Sequence, residues 1–126
     1  MNTVYARDLW SRAKNALRSS EALLSVSGDD AVSRAYYAAF DAISAVFAMQ
    51  GKTFSRHTAV RTAVHKEWVK TGKWTQEMGQ SFDMLWELRD IGDYGGGVHA
   101  ESSDAAKAVD AARQILETAN NYKRES

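Results

Sequence analysis

The residues best suited to chemistry lie at the end of one predicted helix and in the glycine-rich stretch that follows it. Apolar residues recur along one arc of that helix, namely Met78, Phe82 and Leu85. Arg89 falls on the same arc and Asp93 lies close to it, while His99 comes just after three consecutive glycines. A guanidinium grips oxyanions through its planar fork, and an imidazole transfers protons near neutral pH. These residue types are suited to binding an anionic group and moving a proton beside it.

The position of Arg89 on an apolar stripe has two explanations. An isolated buried cation is costly, so the side chain either pairs internally or reaches solvent, or it lines a site. Carboxylates for an internal pair are present at three positions: Asp41, Glu87 and Asp93. In this structural interpretation His99 is simply a residue of a solvent-exposed loop.

The composition predicts one domain over residues 1–126. The chain has 126 residues, no cysteine and no proline, and its formal net charge is zero. The lack of cysteine is typical of a reducing compartment, and the lack of proline favours long uninterrupted helices. No segment approaches the roughly 20 apolar residues needed to span a bilayer, and the first residues lack the pattern of a signal peptide. We therefore expect a cytoplasmic protein that does not contact membranes.

Hydrophobic periodicity predicts five helices. They cover residues 3–27, 30–50, 55–71, 75–92, and a last segment from Ser102 or Ser103 to Tyr122. The expected end of the first helix is Gly28, and the expected N-caps are Asp29 or Asp30, Ser55 and Thr75. Five helices with short connections predict an all-α protein, an up-and-down bundle of four or five helices.

The second predicted helix carries two apolar strips side by side. One is bulky and includes Val32, Ile43 and Phe47. The other consists of small residues: Ala35, Ala38, Ala42 and Ala45. Two neighbouring helices can therefore pack on this helix, one of them at close range, so we expect it to be the centre of the bundle.

The zero total charge hides a basic run in the third predicted helix. Six lysines and arginines lie between positions 52 and 73, against one acidic residue, Glu67. His57, Arg61 and His65 follow one another four residues apart, and Arg56 precedes them. Such a run is by default a solvated helix face, but its lack of acids makes it a candidate surface for RNA or an acidic partner. The histidines lack the spacing of a metal site, so none is predicted.

Two adjacent tyrosines of the second helix point in different directions. Tyr36 belongs to the apolar stripe and is predicted to lie in the core. Tyr37 is rotated by about 100°, toward the side that carries Arg34 and Asp41. We expect both tyrosines to pack in the core or at an interface. The alternative for Tyr37 is to line a groove, in which Arg34 and Asp41 form a polar network with Arg89.

Three features together resemble the HEPN (higher eukaryotes and prokaryotes nucleotide-binding) superfamily, in its small prokaryotic branch. The first is Ser33-Arg34-Ala35-Tyr36-Tyr37-Ala38-Ala39-Phe40 in the second helix. The others are His57 at the start of the third helix and Leu88-Arg89-x-x-x-Asp93-Tyr94-Gly95 at the end of the fourth. The resemblance covers residues from about 5 to 122.

The resemblance implies a helical bundle that dimerises. It also implies a partner, since many members are encoded beside a minimal nucleotidyltransferase and act with it as toxin and antitoxin. Many members are metal-independent ribonucleases without a cofactor. Their active site repeats an arginine, usually followed by a polar residue, with a histidine four to six residues further on, and the dimer brings two copies together.

Carried over to this chain, the family motif matches only in part. Arg89 occupies the arginine position and Asp90 serves as its polar neighbour. The histidine departs from the pattern, because nine residues separate Arg89 from His99 and the expected position holds Asp93-Tyr94-Gly95. Some family toxins carry a tyrosine that the partner enzyme nucleotidylates; Tyr94 lies near that position but not at its spacing. This departure bears on catalysis more than on fold.

Metal-free RNA cleavage needs a base for the 2′-hydroxyl, an acid for the leaving 5′-oxygen and a cation for the phosphorane. The resemblance gives the cation role to Arg89, and either His99 or His57 is the candidate for proton transfer. Further catalytic candidates are Asp93 and Tyr94, and the candidate nucleotide- or RNA-binding residues are Arg34, Tyr37, Arg56 and Arg61. The alternatives are a dimeric non-catalytic module that binds a nucleotidyltransferase or a nucleotide, and a purely structural adaptor.

Overall fold

The computed structural model describes residues 3–94 and 96–125, except for the side chains of Tyr94 and of residues 123–125. Its helices are α1 (Thr3–Leu23), α2 (Gly28–Met49), α3 (His57–Ala63), which continues into a π-helical turn (Val64–Val69), α4 (Gln76–Tyr94) and α5 (Ser102–Glu125). No strand occurs within these ranges, so the predicted all-α bundle is confirmed. None of the described helices is long and apolar enough to cross a bilayer.

Helix α2 is the centre of the bundle, as its two strips predicted. It packs against α1, α4 and α5. The small residues at positions 35, 38, 42 and 45 are all buried, which lets the neighbouring helices come close. Tyr36 is completely buried, as expected from its place on the apolar stripe. The core of the protein is therefore arranged around this one helix.

The helix boundaries near residue 28 differ from the prediction. The N-cap of α2 is Ser27 and neither of the two predicted aspartates, Asp29 and Asp30. The Ser27 hydroxyl accepts a hydrogen bond from the Asp30 N–H at 3.2 Å. Gly28 is the first residue of α2, whereas α1 already ends at Leu23. A Cβ on Gly28 would lie 2.8 Å from the carbonyl oxygen of Ala100. Glycine is thus needed here because the chain before α5 passes close by, and not because a helix ends.

The other caps gave one correct and one wrong prediction. Thr75 accepts a hydrogen bond from the N–H of Met78 at 3.2 Å at the start of α4, as expected. Ser55 does not cap α3, because the N-cap position is Arg56, which makes no capping hydrogen bond with its side chain. Residue type alone predicted the wrong cap for α3, because a serine is a preferred N-cap and Ser55 lies one position before the actual N-cap.

The third predicted helix contains a π turn that periodicity did not reveal. Within it the N–H of Lys70 donates to the carbonyl of His65 at 2.9 Å. Helix α4 passes close to this turn at Gly79, where a Cβ would lie 2.8 Å from Val69 Cγ2 and 3.1 Å from His65 Cε1. The missing side chain at Gly79 therefore allows α4 to approach the π turn.

Candidate functional site

Helix α4 places Arg89 in an aromatic enclosure. Only 11% of its side chain is exposed. The guanidinium carbon lies 4.6 Å from the ring centre of Tyr36 and 5.6 Å from that of Trp86. Its Nη1 donates to the Tyr37 hydroxyl at 3.5 Å, and its Nη2 lies 3.1 Å from Asp90 Oδ1. The cation on the apolar stripe is thus held by π faces, a phenol and a carboxylate.

The carboxylate beside Arg89 was not the expected one. The sequence suggested Asp93, Asp41 or Glu87, but the ion pair that the structure resolves is with Asp90, the next residue of the chain. Asp90 is largely exposed, so its charge is well solvated and this pair adds little to stability. The aromatic rings beneath the guanidinium therefore account for more of its position than the ion pair does.

Tyr36 connects Arg89 to His57. The Tyr36 hydroxyl lies 3.0 Å from His57 Nδ1, and the imidazole stacks on Phe40 with ring centres 4.0 Å apart. His57 comes from the first residue of α3 and Tyr36 from the middle of α2, so the packing of two helices sets this geometry. Of the two candidate histidines, His57 is the one whose surroundings include Arg89.

The protonation of His57 is set by its surroundings. Burial lowers the pKa of His57, and the nearby charge of Arg89 lowers it further. Burial also raises the pKa of the Tyr36 phenol, so this hydroxyl keeps its proton at neutral pH. It can accept a hydrogen bond from Nδ1–H of His57, which leaves Nε2 with a free lone pair. In that tautomer the neutral imidazole is a proton acceptor.

We expect His57 to titrate below 6.5, the ordinary histidine pKa, in the folded protein. Since the unfolded chain then binds the proton more readily, the free energy of unfolding is at its full value above pH 6.5 and falls as the pH drops through the folded pKa. Proton NMR of the imidazole signals against pH measures this, with His57→Gln assigning the signal. Denaturant melts of His57→Gln should show a smaller loss of stability between pH 7 and 5. A His57 signal that titrates at or above 6.5 contradicts the prediction.

A polar cleft adjoins Tyr37 on the surface between α1 and α2. It has a volume of about 440 Å³, its charged lining residues are Arg12, Arg34 and Asp41, and His57 also lines it. The guanidinium of Arg34 lies 5.2 Å from the Tyr37 ring centre. Burial raises the pKa of the Asp41 carboxyl, while Arg12 and Arg34 act in the opposite direction. Arg34, Tyr37 and Asp41 thus line one cleft, and of these three Tyr37 contacts Arg89.

His99 lies elsewhere. Its Nδ1 is 2.7 Å from Asp29 Oδ2, and its side chain is 70% exposed. Asp29 also accepts a hydrogen bond from the N–H of Ala100 at 2.6 Å, and these contacts lower the pKa of Asp29. Asp29 precedes Tyr37 by eight residues of α2, or roughly 12 Å along the helix axis. The end of the glycine-rich segment is therefore fastened to the start of α2, away from Arg89 within the same subunit.

The two remaining catalytic candidates add little geometry. Asp93 is exposed in the last turn of α4. The side chain of Tyr94 lies outside the described residues, as does Gly95 of the same motif. In the described part of the chain, no three histidine, aspartate or glutamate side chains are grouped so that they could hold a metal ion.

The histidines and arginines of the third helix do not all face the same neighbouring helix. Arg61 Nε and His65 Nε2 both contact Asp83 Oδ1 of α4, at 2.8 and 2.9 Å. Both therefore face α4, whereas His57 faces Tyr36, so the three do not form one ridge. Arg56 is exposed immediately before α3.

Sequence reasoning did not identify Asp83 or Trp86 as part of the site. Trp86 contacts both Arg61 and Arg89, with ring-to-guanidinium distances of 5.1 and 5.6 Å. The sequence feature that could have pointed to them is their position on α4, since Asp83 lies six residues and Trp86 three residues before Arg89. That spacing alone does not show which helix they meet.

Comparison with known proteins gave matches of three kinds. The HEPN domain model matches residues 6–122 of this chain. A "UPF0332 protein" of Thermotoga maritima is 38% identical over 87 residues, which are 69% of this chain and 66% of that protein, just under two thirds of its length. The crystal structure of TT1696 from Thermus thermophilus has a TM-score of 0.78 at 19% identity, and the match covers 97% of this chain and 99% of that one. The last likeness concerns the fold alone.

Proposed function

This chain belongs to the HEPN domain family, and from that premise we propose that it is a dimeric, metal-independent endoribonuclease of the toxin type, with Arg89 and His57 in its active site. The observation that carries the proposal is the shared contact with Tyr36. Arg89 lies 4.6 Å from the Tyr36 ring centre, and His57 lies 3.0 Å from the Tyr36 hydroxyl. A phosphate-binding cation and a proton acceptor are thereby held on one rigid, buried side chain.

In the proposed reaction, His57 Nε2 takes the proton of the 2′-hydroxyl. The 2′-oxygen then forms a bond to the adjacent phosphorus, and the bond from phosphorus to the 5′-oxygen breaks. Arg89 stabilises the extra negative charge on the phosphorane. The imidazolium of His57 formed in the first step then gives its proton to the 5′-oxygen. The products are a 2′,3′-cyclic phosphate and a 5′-hydroxyl, so neither water nor an oxidant is consumed in this step.

The pKa of His57 is compatible with the base in this scheme. A histidine with a lowered pKa is neutral at pH 7, and general bases work best when they are unprotonated at the working pH. The family membership supports the dimer, which would bring two copies of the Arg89–His57 pair together. The proposed partner, a minimal nucleotidyltransferase that acts as antitoxin, is likewise supported by the family alone.

The direct test is RNA cleavage by the purified protein in the presence of EDTA. We expect products that end in 2′,3′-cyclic phosphate, because the 2′-oxygen is the nucleophile. The same oligonucleotide with 2′-O-methyl groups should remain intact, since its nucleophile is blocked. RNA that stays intact at high protein concentration would exclude the nuclease and favour the second function described next.

The second candidate is a non-catalytic dimeric module that binds a nucleotide or a nucleotidyltransferase. The enclosure of Arg89 favours it, since only 11% of the side chain is exposed and Tyr37 and Asp90 already take two of its nitrogens. Calorimetric titration with a mononucleotide distinguishes the two functions. A binding module gives a saturable signal without RNA cleavage, and the Tyr37→Phe variant weakens it through the cleft that Tyr37 lines.

A further inference from the structure

A second depression of the surface, lined by cationic side chains, lies on the face between the π turn and α4. It is an open groove of about 630 Å³. Two threonines line it together with four basic side chains and one aromatic ring. The basic and aromatic residues are Arg61, His65, Lys66, Lys70 and Trp86. The groove is distinct from the polar cleft beside Tyr37, with which it shares no lining residue.

The groove keeps an excess of positive charge. Its nearest carboxylate, Asp83, is shared by Arg61 and His65, and Glu67 is paired with Lys52. The two lysines of the groove, Lys66 and Lys70, are exposed and four residues apart. Among the ion pairs between described residues, neither lysine has a carboxylate partner. A polyanion can therefore meet both lysines without displacing an existing ion pair.

The groove is built into the fold rather than left as a loose surface. Asp83 holds Arg61 and His65 at 2.8 and 2.9 Å, which ties the third helix to α4. Gly79 allows the close approach of these elements, since any Cβ there would collide with Val69. Short π-helical turns are frequent at functional sites, and this one forms part of the groove wall.

Trp86 joins the groove to the proposed active site. Arg61 stacks on its ring from the groove, at 5.1 Å. The same indole lies 5.6 Å from the Arg89 guanidinium and 5.9 Å from the Tyr36 ring centre. Guanidinium and indole planes are the surfaces on which unpaired nucleobases stack. A chain bound along the groove would consequently reach Arg89 by passing Trp86.

We propose that this groove binds single-stranded RNA and leads it to Arg89. Backbone phosphates would lie on Lys66, Lys70 and Arg61, and a base would stack at the Arg61–Trp86 pair. The stretch from Thr58 to Lys70 is roughly 18 Å long, enough for a few nucleotides. The choice of RNA rests on the proposed function, whereas the groove itself rests on the charges and contacts above. A duplex is a poorer ligand, because its bases already stack on each other.

The test measures binding separately from cleavage. The probe is a 2′-O-methyl oligouridine of about 12 nucleotides, which fits the usual range of single-strand sites and has no nucleophile to be cleaved. Tryptophan fluorescence reports on the groove, because Trp10, Trp68 and Trp74 are buried and Trp86 is partly exposed. We expect the probe to quench this fluorescence, and the Trp86→Phe variant to lose the quenching.

The charge contribution is tested with paired variants. Lys66→Ala/Lys70→Ala should weaken binding about tenfold or more at low salt and reduce the slope of log affinity against log salt by about 1.4, the value for two single-strand phosphate contacts. The control is Lys14→Ala/Lys107→Ala, which removes two exposed lysines from α1 and α5. It changes the net charge equally and should leave at least half of the affinity.

Three results would overturn the inference. One is an equal loss of affinity in the control, which would mean unspecific attraction. Another is binding of a polyglutamate peptide, with the same lysine dependence, by a protein that does not bind the oligouridine; the groove would then be a protein-docking surface. The third is RNA cleavage by Lys66→Ala/Lys70→Ala at the normal KM. This result would agree with the ribonuclease proposal and reject RNA binding in the groove. Conversely, binding of the oligouridine by a protein that leaves unmodified RNA intact supports the groove and rejects the nuclease.

Discussion

Arg89→Ala is expected to lower kcat/KM for RNA cleavage by about 10²–10³-fold or more, the range seen when one group that stabilises the transition-state charge is removed. Arg89→Lys should recover only a small part. Lysine keeps the charge, but it lacks the planar fork that contacts Tyr37 and Asp90 together and stacks on Tyr36. The measurement is the initial rate on a labelled RNA substrate, with product ends analysed for cyclic phosphate.

The matched control for this prediction is Arg113→Ala. Arg113 is exposed on α5 and pairs with Glu21 at 2.6 Å, so its loss removes one arginine far from Tyr36. It should change the rate less than twofold. Circular dichroism of both variants checks that the helices are intact. Normal cleavage by a folded Arg89→Ala protein would show that Arg89 has only a structural role.

Phe82→Ala is expected to cost about 3–5 kcal/mol of unfolding free energy, the usual range for a fully buried phenylalanine. Phe82 has no exposed surface, and its ring lies parallel to that of Tyr36 with centres 6.1 Å apart. The truncation would leave a cavity directly beneath the side chain that holds Arg89 and His57. Urea denaturation at neutral pH measures the loss.

Phe54→Ala provides the comparison at a less buried site. Phe54 is partly exposed and meets the core through the edge of Phe47, with ring centres 5.1 Å apart. We expect its replacement to cost less than half as much as that of Phe82, because less apolar surface is lost and water can fill the gap. Equal costs at the two positions would contradict the packing described around Tyr36.

The buried faces of the helices were predictable because each depends on the sequence of one helix. Tyr36 in the core and Arg89 on an apolar stripe follow from a period of 3.6 residues. The partners of these residues depend on how two helices are rotated against each other. His57 meets Tyr36 across 21 residues and Arg89 meets Tyr37 across 52, and no local pattern encodes either distance. Hence the choice between the two candidate histidines, His57 and His99, was left open by the sequence.

The errors at the helix ends have a similar cause. Asp29, Asp30 and Ser27 are all good N-caps by residue type, and only the path of the chain decides among them. In the fold, Asp29 is engaged by His99 and Ala100, so Ser27 takes the cap. The π turn was missed because its stripe of apolar residues is compatible with an ordinary helix.

The π turn has a consequence for how this protein can evolve. In a regular α-helix Arg61 and Trp68, seven residues apart, would share a face after nearly two turns. The π turn at Val64–Val69 rotates the chain less per residue. Trp68 therefore enters the core, while Arg61 faces α4 and contacts Asp83 there. Loss of one residue here would restore the regular pitch. Arg61 and Trp68 would then lie on the same helix face, so they could no longer face α4 and the core separately. Insertions and deletions in this segment would therefore disturb the groove more than substitutions of its exposed lysines, Lys66 and Lys70.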